Sequence, residues 1–324
     1  MEAAPFESAI QEELIERRQR LEEIRAFDGD LEFANLLGEI DAALGRIDDG
    51  TYGKCEKCEG YVEPERLLAD PLVRVCLGEL SAAERQALED DLELASVIQR
   101  GLLPAINGGF GRWRADYVYQ PLGPVSGDYC DVIPNGDDLY FIVGDVSGKG
   151  MAASLLMSSL HAIFHTLIPL GVDLDKMMSR ANHLLVESSP SNQFATLVCG
   201  KAGGDGRLQI VNAGHLPPVL IKKGVMGELN FSGLPLGMFH ETDFAVTDVG
   251  LDGGDSLLLF TDGVTECVNG DGIELGTCGL IDALGGTAWT EPKALLGRCL
   301  EVVDGHRGAA GRADDLTMLA LTFH

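Results

Sequence analysis

The stretch Phe141-Ile-Val-Gly-Asp145-Val-Ser-Gly-Lys-Gly150 joins a short apolar run to an Asp that stands among glycines. Three other segments repeat this arrangement: Val125-Ser-Gly-Asp128-Tyr-Cys-Asp131, Leu257-Leu-Leu-Phe-Thr-Asp262-Gly263 and Arg312-Ala-Asp314-Asp315-Leu-Thr-Met318. An Asp at the end of a buried strand can project into a cleft, and neighbouring glycines leave room for backbone carbonyls near a ligand. Several carboxylates in one cleft repel one another unless a cation lies between them. Because an oxygen-only ligand set suits Mg²⁺ or Mn²⁺, the four segments together predict a divalent-cation site.

Two simpler interpretations of these segments exist. Any one Asp alone is explained equally well as a turn or helix cap, so the prediction depends on the set of four. The first stretch also resembles a P-loop, but only three residues separate Gly144 from Gly148, and Gly150 follows Lys149 where a hydroxyl residue is required. Nucleotide binding through a P-loop is therefore excluded.

The charge of the chain is strongly negative and unevenly distributed. The 324 residues carry a formal net charge of −27, which argues against direct binding of nucleic acid or of an anionic membrane. Residues 1–100 contain 17 Glu and 8 Asp, whereas residues 101–324 contain 7 Glu and 19 Asp. Glu favours helices, and Asp favours caps, turns and metal shells. The composition therefore predicts a helical front and a remainder of strands and loops.

Several features predict a cytoplasmic location. The acidic start has no apolar segment typical of a signal peptide. Five of the eight cysteines are scattered singly beyond residue 100, as expected for reduced thiols. The apolar run Met151–Val172 is interrupted by Ser, His and Pro, which favours a buried helix over a membrane span.

The hydrophobic periodicity predicts three regions. Helical patterns over 6–26 and 31–47, followed by a Cys-bearing loop, define a first region at 1–80. A capping box at Ser81 to Glu84 opens a connector helix over 81–104, with an apolar seam of Leu88, Leu92, Ala95, Ile98 and Leu102. The alternative is an ordinary surface helix. Short strands with hairpin-length turns and two consecutive helices then predict a largely antiparallel α+β sandwich over 105–324.

Residues 92–324 resemble bacterial protein phosphatases of the SpoIIE/RsbU type, which belong to the metal-dependent type 2C (PPM) superfamily. The resemblance begins with the helix Leu92-Glu-Leu-Ala-Ser-Val-Ile-Gln-Arg-Gly-Leu-Leu-Pro104 and continues through Val125–Asp131 and Val143–Gly150. It is completed, in family order, by Asn212-Ala-Gly-His-Leu-Pro-Pro218, Gly233-Leu-Pro-Leu-Gly237, Phe260-Thr-Asp-Gly263 with Glu266, and Asp314-Asp-Leu-Thr317. The resemblance implies a PP2C-like four-layer αββα sandwich of two antiparallel sheets, with a two-metal site at one edge.

The resemblance also implies roles for individual residues. Asp145 would bridge two Mn²⁺ or Mg²⁺ ions, Asp262 and Asp314 would complete the shell of one, and Asp128 with the Val146 carbonyl would serve the other. Asp131 and Asp315 also occupy motif positions, although the neighbouring Asp is the usual ligand. Such a pair of cations lowers the pKa of a bridging water and clamps a phosphate for in-line attack, so no phosphoenzyme is expected.

The sequence departs from the family pattern at three places. Ser126 replaces the first glycine of its motif, and Cys130 replaces the second aromatic residue. Ser147 stands where the eukaryotic branch has a candidate general acid, so proton donation could fall to metal-bound water. His215 is an alternative donor, or it could simply hold the turn at 212–218.

Cys55, Cys58 and Cys76 of the cysteine loop fit three positions of a Cx2C…Cx2C zinc pattern, and Glu79 stands in the fourth. The loop resembles the zinc finger of DksA/TraR proteins, which bind RNA polymerase. Two alternatives remain open: these four residues bind one structural Zn²⁺, or the loop has lost its zinc and is held together by its own apolar contacts. In either case the loop suggests a sensor or docking role.

These observations predict a serine/threonine protein phosphatase. The resemblance implies a phosphorylated anti-sigma-factor antagonist as the substrate. The apolar seam of the 81–104 helix predicts a homodimer formed through that helix. The alternative function is a non-catalytic scaffold of the same fold that docks on RNA polymerase or another partner through the zinc-finger-like module.

Overall fold

The computed structural model describes residues 10–11, 14–15, 18–19, 31–58, 60–106, 109–189, 193–231, 233–285, 289–308 and 310–324. The predicted helical run over 6–26 lies mostly outside these residues. Two compact units are present, Met1–Asp91 and Leu92–His324. The division falls inside one helix, Ala82–Gly101, which contains most of the predicted connector.

The first unit is built around a small apolar core of its own. Its described elements are helix α1 (Leu31–Asp48), helix α2 (Pro64–Ala69) and a 3-10 turn, Leu77–Glu79. Ile40, Val62 and Leu67 are buried together with Tyr52. The Tyr52 hydroxyl donates a hydrogen bond of 2.8 Å to the Pro71 carbonyl, which satisfies its polar end inside this core.

Helix α3 (Ala82–Gly101) begins with the predicted capping box. The Ser81 amide donates to Glu84 Oε2 at 2.8 Å, and the Glu84 amide donates to Ser81 Oγ at 3.2 Å. The predicted apolar seam is only partly correct, because Ile98 is 58% exposed. Ser96 and Gln99 are buried instead, so the packed face of α3 includes polar residues that hydrophobic periodicity does not detect.

The described residues of the second unit form two five-stranded antiparallel sheets. One has the order β1-β10-β9-β6-β7 and the other β2-β3-β4-β5-β8. Their bounds are β1 (Trp113–Gln120), β2 (Tyr129–Asn135), β3 (Asp138–Val146), β4 (Ala195–Ala202), β5 (Arg207–Ala213), β6 (Val219–Lys222), β7 (Val225–Glu228), β8 (Thr247–Gly250), β9 (Ser256–Phe260) and β10 (Leu316–Phe323). The flanking helices are α4 (Gly150–Leu167), α5 (Leu174–Ser188), the single turn α6 (Asp262–Thr265), α7 (Gly276–Leu284) and α8 (Pro292–Arg307).

Strand β3 shows why the layers form. Leu139, Phe141 and Val143 point into the core between the sheets, whereas Tyr140 and Ile142 point into the core under α4 and α5. Alternate residues of a strand face opposite sides, so a continuous apolar run fits a strand covered on both faces. A third core lies between the other sheet and helices α7 and α8. The four layers confirm the predicted αββα sandwich.

Helix α4 is the core helix that the apolar run predicted. Among the described residues, Gly150–Leu170 is the one helical segment long and apolar enough to span a membrane by composition. Its residues Met157, Leu160 and Phe164 are almost completely buried against the sheet and α5. This packing accounts for the hydrophobicity of the segment.

The antiparallel register brings four strand ends to one edge. Tyr129, at the start of β2, is opposite Gly144, near the end of β3. Phe260, at the end of β9, is opposite Met318, near the start of β10. The Asp residues that flank these positions therefore lie at the same edge of the sandwich.

Candidate functional site

The four Asp residues predicted from the sequence are carried by two pairs of neighbouring strands. Asp128 immediately precedes β2, and Asp145 is the penultimate residue of β3. Asp262 opens α6 soon after β9, and Asp314 lies just before β10. A hydrogen bond of 2.9 Å from Thr261 Oγ1 to Asp128 Oδ2 joins the two sheets at this edge. The sequence did not single out Thr261, although it adjoins Asp262.

The carboxylates of this group influence one another electrostatically. Burial and the charges of Asp262 and Asp314 raise the pKa of Asp145 to about 7. Burial and the charge of Asp145 raise the pKa of Asp128 well above its usual range, despite its hydrogen bonds. Burial and the charge of Asp314 also raise the pKa of Asp262. The group is thus a concentration of negative charge that disfavours its own ionisation.

Lys149 provides positive charge at this group. Its Nζ lies 2.9 Å from Asp314 Oδ2, and its side chain is 65% exposed. In the sequence Lys149 stands out only for its likeness to a P-loop lysine, and no local signal indicates its ion pair with a residue 165 positions away. One exposed lysine does not neutralise four carboxylates.

Two glycines allow close backbone approach beside the carboxylates. A Cβ at Gly127 would lie 3.1 Å from the Val146 carbonyl and 3.3 Å from Asp145 Oδ1. A Cβ at Gly263 would collide with the Asp315 carbonyl. The residues around Asp145 therefore leave a small space next to a carbonyl and a carboxylate. Oxygen donors, excess negative charge and this space fit divalent cations.

Asp315 lies at the same edge but is occupied by protein contacts. Its Oδ1 accepts a hydrogen bond from the Leu122 amide at 2.6 Å. Its Oδ2 accepts from Ser126 Oγ at 2.7 Å and from the Gly127 amide at 3.3 Å. Asp315 therefore holds the loop that precedes Asp128, and Ser126, a departure from the family pattern, is one of its partners.

The structure does not bring Asp131 to the four-carboxylate group. Its Oδ2 accepts from the Tyr129 hydroxyl at 3.0 Å and lies 2.8 Å from His165 Nε2, on helix α4. Tyr129 packs in the core under α4 and α5, and Asp131 shares its face of β2 because the two are separated by one residue. The expectation that Asp131 joins the other carboxylates is therefore wrong.

His215 holds a turn and is not placed as a proton donor. Its ring nitrogens lie 3.0 Å from Thr196 Oγ1 and 3.2 Å from the Phe260 carbonyl, and its amide donates to Asn212 Oδ1. Burial lowers the pKa of His215 to about 4. Ser147 stands at the position of the eukaryotic candidate acid, and its Oγ accepts a hydrogen bond of 2.9 Å from the Phe194 amide.

A small cleft of about 70 Å³ adjoins Asp314. Its charged lining residues besides Asp314 are Glu266, Arg307 and Arg312. Arg312 is anchored by donating to the carbonyls of Gln120 and Pro121 at 2.9 and 3.2 Å. The cleft therefore offers fixed polar groups beside the carboxylates.

Gln99 on helix α3 connects the connector helix to the loop before Asp128. Its Nε2 donates to the Ser126 carbonyl at 2.7 Å, and its Oε1 accepts from the Ser126 amide at 3.0 Å. The Tyr119 hydroxyl donates to the same Oε1 at 3.1 Å. Gln99 was not recognised from the sequence, since a buried amide carries no periodic signal.

The first unit brings three cysteines together. The sulfurs of Cys55, Cys58 and Cys76 lie within 4.8 Å of one another, a spacing that suits a metal ion. The Cys76 amide donates to Cys55 Sγ at 3.4 Å, which lowers the pKa of the Cys55 thiol to about 7. Glu79, the predicted fourth ligand, is not in this group and is exposed, because the 3-10 turn from Leu77 carries its side chain to the surface.

Family comparisons match both parts of the chain. Residues 50–85 match the prokaryotic dksA/traR C4-type zinc finger. The model of stage II sporulation protein E (SpoIIE) matches residues 135–324. The first match supports the resemblance of the cysteine loop, and the second spans more than half of the chain.

Two curated relatives from Bacillus subtilis carry the name phosphoserine phosphatase. RsbU is 26% identical over 186 residues, covering 56% of this chain and 56% of RsbU. RsbP is 30% identical over 186 residues, covering 54% of this chain and 45% of RsbP. The chain thus spans about half the length of these relatives.

A solved structure shares the arrangement of the two sheets. The SiaA-PP2C domain of Pseudomonas aeruginosa superposes with a TM-score of 0.66 at 21% identity, covering 75% of this chain and 100% of that domain. This likeness shows that the fold is PP2C-like. The length of the family match, together with this sheet topology, establishes that the chain belongs to the stage II sporulation protein E family.

Proposed function

We propose that this chain is a Mn²⁺- or Mg²⁺-dependent phosphatase that hydrolyses phosphoserine or phosphothreonine on a regulatory protein. The observation that carries the proposal is the group Asp128, Asp145, Asp262 and Asp314, in which mutual charge and burial raise the pKa values of at least three carboxyls. The names of RsbU and RsbP support the choice of phosphoserine.

The family resemblance implies a role for each carboxylate when cations are bound. Asp145 would be shared, Asp262 and Asp314 would complete one shell, and Asp128 with the Val146 carbonyl would form the other. Divalent cations supply Lewis-acid activation of water and neutralise phosphate charge. The short distance from a Cβ at Gly127 to Val146 and Asp145 supports this placement, since a side chain there would fill the space.

The protein's own groups position this site. Thr261 fixes one oxygen of Asp128, and Asp315 holds the Ser126–Gly127 loop. Lys149, mostly exposed beside Asp314, supplies a positive charge at the edge of the carboxylate group that would attract a phosphoryl group. Charge-assisted attraction of this kind favours a dianionic substrate over its neutral counterpart.

The hydroxyl groups next to the carboxylates are not placed as nucleophiles. Ser126 Oγ donates to Asp315 and accepts from the Asp128 amide, and Thr261 Oγ1 donates to Asp128 and accepts from the Thr317 amide. Both residues are completely buried. Because both hydroxyls are buried and already hydrogen-bonded, the arrangement supports direct attack of water on the phosphate, without a phosphoenzyme.

The proposed substrate is a phosphorylated anti-sigma-factor antagonist in the cytoplasm. The cleft beside Asp314, with Arg307 and Arg312 on its lining, offers groups that could contact the polypeptide around the phosphorylated residue. The exposed stripe of Leu94, Val97 and Ile98 on helix α3 supports a homodimer formed through this helix. The zinc-finger-like module would then sense or dock a partner.

A metal-dependent hydrolysis assay tests the proposed reaction. The full chain should release phosphate from a phosphoserine protein with Mn²⁺ or Mg²⁺, and Asp145→Asn should lower the rate by at least about 100-fold, as expected when a shared cation ligand is lost. Asp137→Asn, in the exposed turn between β2 and β3, is the matched control.

Wild type and Asp145→Asn also distinguish the proposed phosphatase from the alternative of a non-catalytic scaffold. Equal activity of wild type and Asp145→Asn would contradict the proposed site. Failure of the folded wild type to bind Mn²⁺ in calorimetry would favour a scaffold that docks through its cysteine module.

A further inference from the structure

We propose that Asp131, His161 and His165 form a second metal site, selective for Zn²⁺ and similar transition-metal ions and separate from the four-carboxylate group. His165 Nε2 lies 2.8 Å from Asp131 Oδ2, and His161 Nε2 lies 3.9 Å from the same oxygen. The three ligand atoms lie within 4.8 Å of one another. The proposal goes beyond the phosphatase function and does not depend on it.

The spacing of these atoms matches a tetrahedral ion. Ligand atoms that each lie about 2.1 Å from a tetrahedral Zn²⁺ are about 3.4 Å apart. The two observed nitrogen-to-oxygen distances, 2.8 and 3.9 Å, fall on either side of that value. Small side-chain rotations would therefore be enough to bring the three atoms around one ion.

The histidines occupy one face of helix α4. Residues four apart on a helix are neighbours, and the rings of His161 and His165 stack with centroids 4.0 Å apart and an interplanar angle of 21°. Both rings direct Nε2 toward Asp131. A hydrogen bond between Asp131 and His165 explains the position of the His165 ring alone. A shared metal ion would also explain why the His161 ring approaches the same Asp131 oxygen.

Outer contacts already orient the carboxylate ligand. The Tyr129 hydroxyl and the Val132 amide donate to the two oxygens of Asp131 at 3.0 and 2.8 Å. Supporting contacts of this kind, to a ligating carboxylate, accompany metal sites and fix their ligands.

The chemistry and exposure of the site define its ion. Two imidazoles and one carboxylate suit Zn²⁺, Co²⁺ or Ni²⁺ better than Mg²⁺, which prefers oxygen. The Asp131 side chain is 3% exposed, whereas that of His165 is 43% exposed. An ion could therefore enter from solvent on the His165 side and would retain one position for water or another ligand.

The test is a Zn²⁺ titration of the full chain by calorimetry, in excess Mg²⁺ and after loading of the cysteine group. The double variant His161→Asn/His165→Asn removes both nitrogen ligands. His183→Asn, which alters an exposed helical histidine paired with Glu187, is the matched control. Wild type and His183→Asn should each bind one more equivalent of Zn²⁺ than the double variant.

A Co²⁺ absorption spectrum shows which ligands bind the metal equivalent that the double variant lacks. The difference between wild type and the double variant should show ligand-field bands without the sulfur charge-transfer band of a cysteine site. Equal Zn²⁺ stoichiometry in a folded double variant, or a sulfur band in the difference spectrum, would overturn the proposal. If circular dichroism shows that the double variant is unfolded, the single variant His165→Asn, at a half-exposed position, decides the question by the same criteria.

Discussion

At the residue scale, Asp145 combines burial with the charges of its neighbours. These effects raise its pKa to about 7 in the cation-free chain, whereas an Asp in an unfolded chain titrates near about 3.9. Between these two values the folded chain holds a proton that the unfolded chain has released. The stabilising contribution of the protonated carboxyl is therefore complete below about pH 4 and is lost as the pH rises through about 7.

Replacing Asp145 with Asn should therefore stabilise the cation-free protein at alkaline pH. We expect the free energy of unfolding near pH 8 to rise by roughly 1–3 kcal/mol, and the gain to shrink toward zero near pH 4. Urea unfolding in a chelating buffer at several pH values measures this difference. With saturating Mn²⁺ the order should reverse, because only the wild type retains the shared ligand. Parallel pH profiles for the two proteins would contradict the electrostatic origin of the shift.

A site residue could be predicted from the sequence only where its position at the end of a strand determines which edge of the sheet its side chain reaches. Asp128 and Asp145 flank paired strand ends, so their segments alone indicate a common edge. Asp131 shares a motif with Asp128, but both faces of β2 are buried, and sequence does not reveal which face meets helix α4. The partners of Asp131, His161 and His165, come from a segment whose apolar pattern indicates only a core helix.

At the element scale, helix α3 packs through polar groups as well as apolar ones. Gln99 makes three hydrogen bonds, two of them to the backbone of Ser126, which lies two residues before Asp128. Most strands and helices could be predicted from alternation and turn residues. Strand β7 (Val225–Glu228) was missed because its four residues are too short and too exposed to show a period. The buried face of α3 was missed because polar residues do not contribute to an apolar seam.

Gln99→Ala should weaken both the fold and the site. Removing the amide leaves the Ser126 backbone groups without these partners in a buried position, so the free energy of unfolding should fall by about 1–3 kcal/mol. Since Ser126 belongs to the loop that carries Asp128, the concentration of Mn²⁺ needed for half-maximal activity should rise several-fold.

The control for Gln99 is Gln86→Ala. Gln86 lies on the same helix and bonds the exposed Asp90 at 2.8 Å, so its removal should change neither quantity measurably. Thermal unfolding and a Mn²⁺ titration of phosphatase activity measure the two effects. Loss of stability with an unchanged Mn²⁺ requirement would limit Gln99 to a structural role.

At the scale of the whole molecule, each of the two units has its own apolar core. The core of Met1–Asp91 includes Cys55 and Cys76, whereas the cores of Leu92–His324 lie between and outside the two sheets. A small unit buries little apolar surface, so a metal ion can supply a large share of its stability. The three sulfurs are therefore expected to matter for the first unit in particular.

Cys58→Ser should selectively destabilise the first unit. We expect loss of one equivalent of bound zinc and a lower melting temperature for the transition of Met1–Asp91, with phosphatase activity and the main transition close to wild type. Cys278→Ser, at an exposed thiol on α7 in the second unit, should leave zinc content and both transitions unchanged. Calorimetric unfolding with metal analysis measures both quantities. Unchanged zinc content in Cys58→Ser would favour a cysteine loop that binds no metal. A single unfolding transition that shifts as a whole would mean that the two units unfold cooperatively.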